Sequence, residues 1–247
     1  MSWTRVSLTE GETPAGDRWV TCADLLTDPS LLSQWTSQAR AHYGSATDPL
    51  TGAGLVLDWY LAAVALPAVG AFHLGDVLVD LDPTAVALRL GAPGSPSSAT
   101  ALLRAEPVAV GAGAAPLTAE LAAQLRTHAE AFVAVFGPQF RFSRRACWAA
   151  VTDQVDTAFL TAGWVSGEQS RAAAEAAAVL GADEAGSWLP GAGWSTLHQV
   201  VDVHGRSHWT RRRHGCCLLY RVPGIAPCLS CPRVGDEVRQ ASSANWD

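Results

Sequence analysis

Six cysteines stand in the 247 residues, and four of them fall between positions 216 and 231. Cys216 and Cys217 are adjacent; after ten intervening residues comes Cys228-Leu229-Ser230-Cys231-Pro232. Thiolates are soft ligands, and four of them close together select zinc, copper(I) or an iron–sulfur group. A C-x-x-C loop lets both of its thiolates face one metal. Neighbouring side chains on extended backbone point to opposite sides, so Cys216 and Cys217 share a centre only where the chain bends, and Gly215 offers the freedom for a bend. A single tetrahedral zinc commonly uses two spaced pairs, which the vicinal pair disfavours. A [2Fe–2S] cluster takes four thiolates, two per iron, and the count matches with none to spare. From spacing alone, iron–sulfur and zinc both stand open.

The chain that must position these thiols is apolar and acidic. Its apolar fraction is 49%, its charged fraction 16% and its net charge −6, and all its basic residues are Arg. That composition excludes a disordered chain. The charge is uneven: from Arg206 onward there are seven Arg against three acids, whereas the preceding 205 residues carry ten Arg against twenty acids. A basic segment on an acidic body is a docking face for an acidic partner, and not a nucleic-acid surface. No apolar signal-peptide core follows Met1-Ser2-Trp3-Thr4-Arg5, so the expectation is a cytoplasmic protein, at most peripheral at the inner face of the membrane, whose thiols stay reduced.

Asp28-Pro29 and Asp48-Pro49 are helix starts, with Asp as N-cap and Pro at N1. The first helix runs to Tyr43 before Gly44. The second opens the apolar run Leu50–Leu74, whose Asp58, Pro67 and glycines predict a buried helix, or two broken near Pro67, over an integral membrane span. Val77–Leu81, Val86–Leu90, Ala101–Arg104 and Val108–Val110 read as short strands in antiparallel hairpins. Helices are predicted from Thr118 to Phe136 with Gly137-Pro138 as the stop, from an N-cap at Ser143 to Ala162 with Gly163 as the stop, and over Glu168–Leu180. Leu197–Val203 alternates like a strand. The absence of long alternating βα units argues against a Rossmann-type sheet. The predicted fold is α+β: a helical N-terminal bulk with a small antiparallel sheet, residues 1–205, and a C-terminal metal-bearing segment, 206–247, packed on it.

The run Arg212-Arg213-His214-Gly215-Cys216-Cys217-Leu218-Leu219-Tyr220-Arg221-Val222-Pro223-Gly224, closed by Cys228-x-x-Cys231-Pro232, resembles the C-terminal signature of FhuF-type ferric siderophore reductases. That pattern is an Arg, a Cys-Cys pair, a Tyr three residues on and a C-x-x-C ten residues after the pair. A looser likeness covers residues 45–200, through Asp58-Trp59-Tyr60 in an apolar helix with Pro67 and Arg144-Arg145-Ala146-Cys147-Trp148 opening a later one. The same region of that family resembles part of the aerobactin-type siderophore synthetases, which supports an α+β fold; no G-x-x-x-x-G-K-[ST] loop is present here.

The resemblance implies a cytoplasmic [2Fe–2S] protein, its cluster held by Cys216, Cys217, Cys228 and Cys231. It would pass one electron to the Fe(III) of an imported siderophore, usually a hydroxamate, and draw that electron from a ferredoxin-like donor. Arg211, Arg212, Arg213 and Arg221 would then stabilise the cluster's negative charge or receive the donor, and Tyr220 would pack against the cluster loop. Of the ten tryptophans, Trp59 and Trp148, with Tyr60, are the candidates for the substrate side. His214 is an alternative ligand by type, but four thiolates already satisfy two irons. Cys22 and Cys147 read as small buried apolar residues. Asp153 and Asp156 read as a solvated helix face. No Ser/His/Asp arrangement and no dinucleotide fingerprint is visible. The alternative from another class is a zinc-stapled protein that binds a siderophore or a partner without catalysis.

Overall fold

The computed structural model describes residues 6–8, 19–44, 46–90, 99–102, 117–183, 186–187, 194–202 and 204–235. The elements in order are β1 (Val6–Leu8), β2 (Trp19–Thr21), α1 (Cys22–Thr27), α2 (Pro29–Tyr43), α3 (Pro49–Gly75), β3 (Val86–Arg89), β4 (Ala99–Leu102), α4 (Leu117–Phe140), α5 (Arg144–Ser166), α6 (Gln169–Val179), β5 (Ala182–Asp183), β6 (Gly186–Ser187), β7 (His198–Val201) and β8 (Ser207–Thr210), then a 3-10 turn at Leu219–Arg221. The fold is α+β. One four-stranded sheet has the order β1-β4-β3-β2, antiparallel except where β1 joins β4 in parallel, and two further two-stranded ribbons pair β5 with β6 and β7 with β8.

The helix starts follow their caps. Asp28 accepts from the Ser30 N–H, Asp48 from the Thr51 N–H and Ser143 from the Ala146 N–H, each satisfying a donor that the first turn leaves unpaired. Gly44, at φ 99°, ends α2 where an L side chain would be strained. At Pro67 the single buried helix is the alternative that holds, and two predicted stops are overridden by packing. Helix α3 continues through Pro67 for 27 residues and is buried along most of its length. Helix α4 runs past Gly137-Pro138, where Phe136 packs in tilted contact on Phe132 and Phe140, at 5.0 and 4.7 Å between ring centres. Helix α5 continues through Gly163, whose missing side chain has another use: a Cβ there would meet Ala172 Cβ at 2.8 Å and Gln169 Cα at 2.9 Å. Gly163 lets α6 approach, and Gly167, at φ 77°, supplies the stop.

Helices α3 and α5 form the central pair and run in the same direction. Arg213 bridges Asp58 to Asp153 at one level, and His73 meets Ser166 some four turns on. Helix α4 crosses α3 where Tyr60 stacks on Phe132 at 3.7 Å between ring centres. Within the core, the Tyr60 hydroxyl donates to His128 Nε2 at 2.8 Å, and His128 Nδ1 donates to the Leu81 carbonyl at 2.6 Å. That carbonyl bond fixes the tautomer. The strand expected at Val77–Leu81 is a connector with no regular secondary structure, and its Leu81 carbonyl is taken by the His128 side chain. The strand expected at Ala101–Arg104 is Ala99–Leu102, and the one expected at Val108–Val110 lies outside the described residues. Helix α3 is long and apolar enough to cross a membrane, with 67% of its most apolar window buried against the rest of the chain.

Candidate metal centre and adjoining cleft

The tail returns to the centre of the helical body through a buried charge network. Arg213 makes a two-bond fork to Asp58 on α3, with Nη1 to Oδ2 at 2.8 Å and Nη2 to Oδ1 at 2.7 Å, and its Nε donates to Asp153 on α5 at 3.2 Å. Asp153 also accepts from the backbone N–H groups of His214 at 2.7 Å and Gly215 at 3.0 Å. One helical turn on, Asp156 accepts from the Ser195 hydroxyl and from the N–H and hydroxyl of Thr196. The i, i+3 spacing puts both carboxylates on one face of α5, where each holds a different tail segment. They are fully buried, so the expectation of a solvated face is corrected. Burial pushes both carboxyls up from the ordinary range; Arg213, Arg211 and the backbone donors pull Asp153 down, and Thr196 and Ser195 do the same for Asp156. Burial works against the charge on Arg213 too, but Asp58 and Asp153 outweigh it and keep the guanidinium protonated.

This network presents the cysteines. Gly215 packs against α5, its absent Cβ lying 3.4 Å from Ala149 Cβ and 3.5 Å from Asp153 Oδ2. It serves close approach; the bend after the Cys-Cys pair is made by Leu218, in left-handed conformation at φ 63°. A non-glycine residue there stores about 1–3 kcal/mol of strain, a cost found mainly where a functional arrangement demands it. Opposite, Gly54 of α3 leaves room for the Cys217 carbonyl, which would lie 3.0 Å from a Cβ on that residue. The C-x-x-C loop is brought alongside by the Arg213 N–H, which donates to Ser230 O at 2.8 Å, and is closed by Cys231 N–H to Cys228 O at 2.9 Å.

All six cysteines are free thiols. In the tail, Cys228 Sγ lies 3.7 Å from Ser230 Oγ, and each thiol of the Cys-Cys pair has a neighbour in C-x-x-C that shifts its titration, Cys217 with Cys228 and Cys216 with Cys231. The neighbouring Cys217 thiol draws Cys228 down to about 5, helped by Ser230, Arg213 and Arg211, while Cys217 is raised by the same neighbour and by burial. Thiolate is the form that ligates metal, and the direction of the Cys228 shift favours it. Cys231 is raised, first by burial and then by its sulfur neighbours. Among the described residues, no three His, Cys, Asp or Glu side chains are gathered closely enough to hold a metal ion as they stand. The donor set nonetheless fits an iron–sulfur group in number and kind. A second observation agrees with an anion beside it: Arg211 is 9% exposed, and its Nη1 stands 3.9 Å from Asp153 with no hydrogen-bond partner among the described residues.

The remaining predicted residues divide. Arg211 and Arg213 are buried, so the basic run is not a surface patch; Arg212 and Arg221 are exposed, and Arg221 pairs with Asp48 at 3.4 Å. Tyr220 lies under Arg233, whose guanidinium is 4.7 Å from the ring centre. His214 Nε2 donates to the Trp194 carbonyl at 3.0 Å. Tyr60 and Trp148 are fully buried in the core and Trp59 packs against it, so the expected substrate-side aromatics are core residues. Cys22 and Cys147 are buried, as expected of small apolar residues. Burial pushes the Cys22 thiol up to about 12 and Cys147 to about 11.

Sequence reasoning missed a cleft of about 530 Å³ between the α5–α6 corner and the β7–β8 ribbon. Its walls include Trp164 and Gln169 on one side, Gln199 and Trp209 on the other, and Leu229 of the C-x-x-C loop. The two tryptophans stand 45 residues apart in the chain, and no local pattern joins them. It also missed a buried row in which His73 Nδ1 donates to Glu175 at 2.5 Å and Nε2 lies 2.9 Å from Ser166 Oγ. Ser166 is already engaged there, accepting from the Glu168 N–H and lying 3.3 Å from Gly163 O. The row therefore caps α5 and staples α3 to α6, and does not present a nucleophile. No protein-family model and no curated protein matches the chain.

Proposed function

We propose that this protein is a cytoplasmic ferric siderophore reductase, in which Cys216, Cys217, Cys228 and Cys231 hold a [2Fe–2S] cluster. The observation that carries the reading is the C-x-x-C loop held against the segment before Cys216-Cys217 by the Arg213 N–H to Ser230 O bond, beside two buried arginines. When bound, the cluster would supply a one-electron store. The chain's own residues account for the rest. Asp153 and the Arg213 fork fix the backbone before the Cys-Cys pair. Arg211 and Arg213 offer positive charge to an anionic group. Arg212, Arg221 and Arg233, exposed on the tail, are the residues left to meet an acidic ferredoxin-like donor.

Siderophores hold hard Fe(III) through anionic oxygens far more tightly than they hold Fe(II), so one electron from the donor, delivered to the ferric ion, releases the iron. Aerobic purification should yield a brown protein with about two irons and two sulfides per chain. After anaerobic reduction with dithionite, ferric siderophores should reoxidise it. A colourless protein with one zinc per chain would overturn the reading and leave the zinc-stapled binding protein in its stead.

A further inference from the structure

We infer that Ser230 tunes the metal centre: its hydroxyl donates to the sulfur of Cys228 and so favours the reduced, more negative state of the cluster. This rests on the proposed reductase function.

The first ground is contact. Ser230 Oγ lies 3.7 Å from Cys228 Sγ, within hydrogen-bond reach of the large sulfur atom. Either group could donate while Cys228 is a thiol. A metal-ligating cysteine is a thiolate with no proton to give, so in the loaded protein the hydroxyl is the donor.

The second ground is how firmly that hydroxyl is held. Ser230 O accepts from the Arg213 N–H at 2.8 Å, and the loop is closed by Cys231 N–H to Cys228 O at 2.9 Å and Val234 N–H to Cys231 O at 3.1 Å. Arg213 is in turn clamped by Asp58 and Asp153. The donor is thus fixed through its own backbone to the α3–α5 pair, and a dipole already in place costs no reorganisation when charge arrives.

The third ground is asymmetry. Cys231 is 3% exposed, whereas Cys228 is half-buried. The serine therefore sits at the loop sulfur that solvent can approach, where it sets a fixed donor in place of exchanging water. Of the two residues between the thiols, Leu229 has no side-chain donor, and only Ser230 can serve.

Hydrogen bonds to sulfur are among the levers that set the potential of such a cluster. One added electron brings one added negative charge, and a donor at a ligating sulfur stabilises the more negative state. Ser230 thereby eases electron uptake from the donor protein and moderates the drive toward the ferric substrate. Arg211 acts through charge from a buried position; Ser230 acts through a directed bond at one sulfur.

Threonine and valine share a shape and differ by a hydroxyl against a methyl group, so Ser230→Thr and Ser230→Val isolate the donor. Each full chain, purified with its cluster, is poised anaerobically at one fixed potential with dithionite and a mediator dye, and the reduced fraction is read by electron paramagnetic resonance. Ser230→Thr should match wild type. Ser230→Val should lower the ratio of reduced to oxidised protein about tenfold, the scale of one hydrogen bond to a charged group, with iron per chain unchanged. Should valine prevent loading, Ser230→Ala replaces it. A second measurement reads the bond itself: in deuterium oxide the iron–thiolate stretching bands of the resonance Raman spectrum should shift more in wild type than in Ser230→Ala.

An unchanged ratio in the valine variant, equal changes with threonine and valine, or equal deuterium shifts in wild type and Ser230→Ala overturns the assignment. Loss of the cluster from both the valine and the alanine variants also overturns it, making Ser230 structural. In each case a brown wild type that ferric siderophore reoxidises leaves the reductase reading in place. A wild type that holds no iron overturns the assignment together with the function on which it rests.

Discussion

Arg213 and Asp58, 155 residues apart in sequence, meet through two parallel hydrogen bonds of 2.7 and 2.8 Å. Asp58 sits in the middle of the most apolar helix of the chain. Its charge has a reason only when the tail is docked, and Arg213 in turn reaches Asp153. Removing one member leaves buried charge uncompensated, which costs about 3–5 kcal/mol. Arg213→Ala should lower the urea midpoint accordingly and expose the four tail thiols to a thiol reagent. A variant with unchanged stability and protected thiols would show that the network does not hold the tail.

Cys217→Ser should abolish cluster assembly, read as loss of colour, iron and sulfide, whereas Cys22→Ser should retain all three. Cys22 lies in the core beside Tyr60, away from the tail thiols. Loss in both variants, or in neither, would contradict the ligand assignment.

Arg211→Gln should lower the midpoint potential of the cluster, because a buried cation favours the more negative, reduced state. A redox titration followed by electron paramagnetic resonance reads the shift. An unchanged potential would assign Arg211 to structure alone, as a partner of Asp153 and Asp156.

Gly54→Ala sets two effects against each other. Alanine in a helix gains up to about 1 kcal/mol over glycine, but its Cβ would stand 3.0 Å from the Cys217 carbonyl. The helix can stiffen only by pushing the Cys-Cys backbone aside. The expected outcome is near-normal thermal stability with reduced cluster occupancy, measured as iron per folded chain.

His128 gives the fold a pH dependence. Burial holds its imidazole below the ordinary value of 6.5, so below that pH the unfolded chain takes up a proton that the folded one resists. The stability tied to His128 is complete above about pH 6.5 and is lost as pH falls through the lower folded-state value. Urea midpoints at about pH 7.5 and about pH 5.5 should differ more for wild type than for His128→Gln; equal differences would remove His128 as the cause.

The helix starts were legible because Asp-Pro and Ser caps are local chemistry. The helix ends at Gly137-Pro138 and Gly163 were not: the Phe132, Phe136 and Phe140 row at i, i+4 spacing outweighs the Gly-Pro break, and Gly163 serves contact with Ala172, which no local pattern names. The cysteines stood out by type and spacing. Their setting did not: Asp153 and Asp156 have the sequence look of a solvated face, and only the return of residues 195–215 to α5 gives them buried donors to accept from. Strands Val6–Leu8 and Trp19–Thr21 carry too few residues for alternation to register and are defined by the partners they find.

The fork between Asp58 and Arg213 also ties the tail to the body. Helix α3 carries a carboxylate on its apolar surface, and its counter-ion follows 155 residues later in the chain. Without that counter-ion, α3 and α5 would pack around two unpaired acids. The segment that carries the thiols thus supplies the cation that α3 and α5 lack between Asp58 and Asp153.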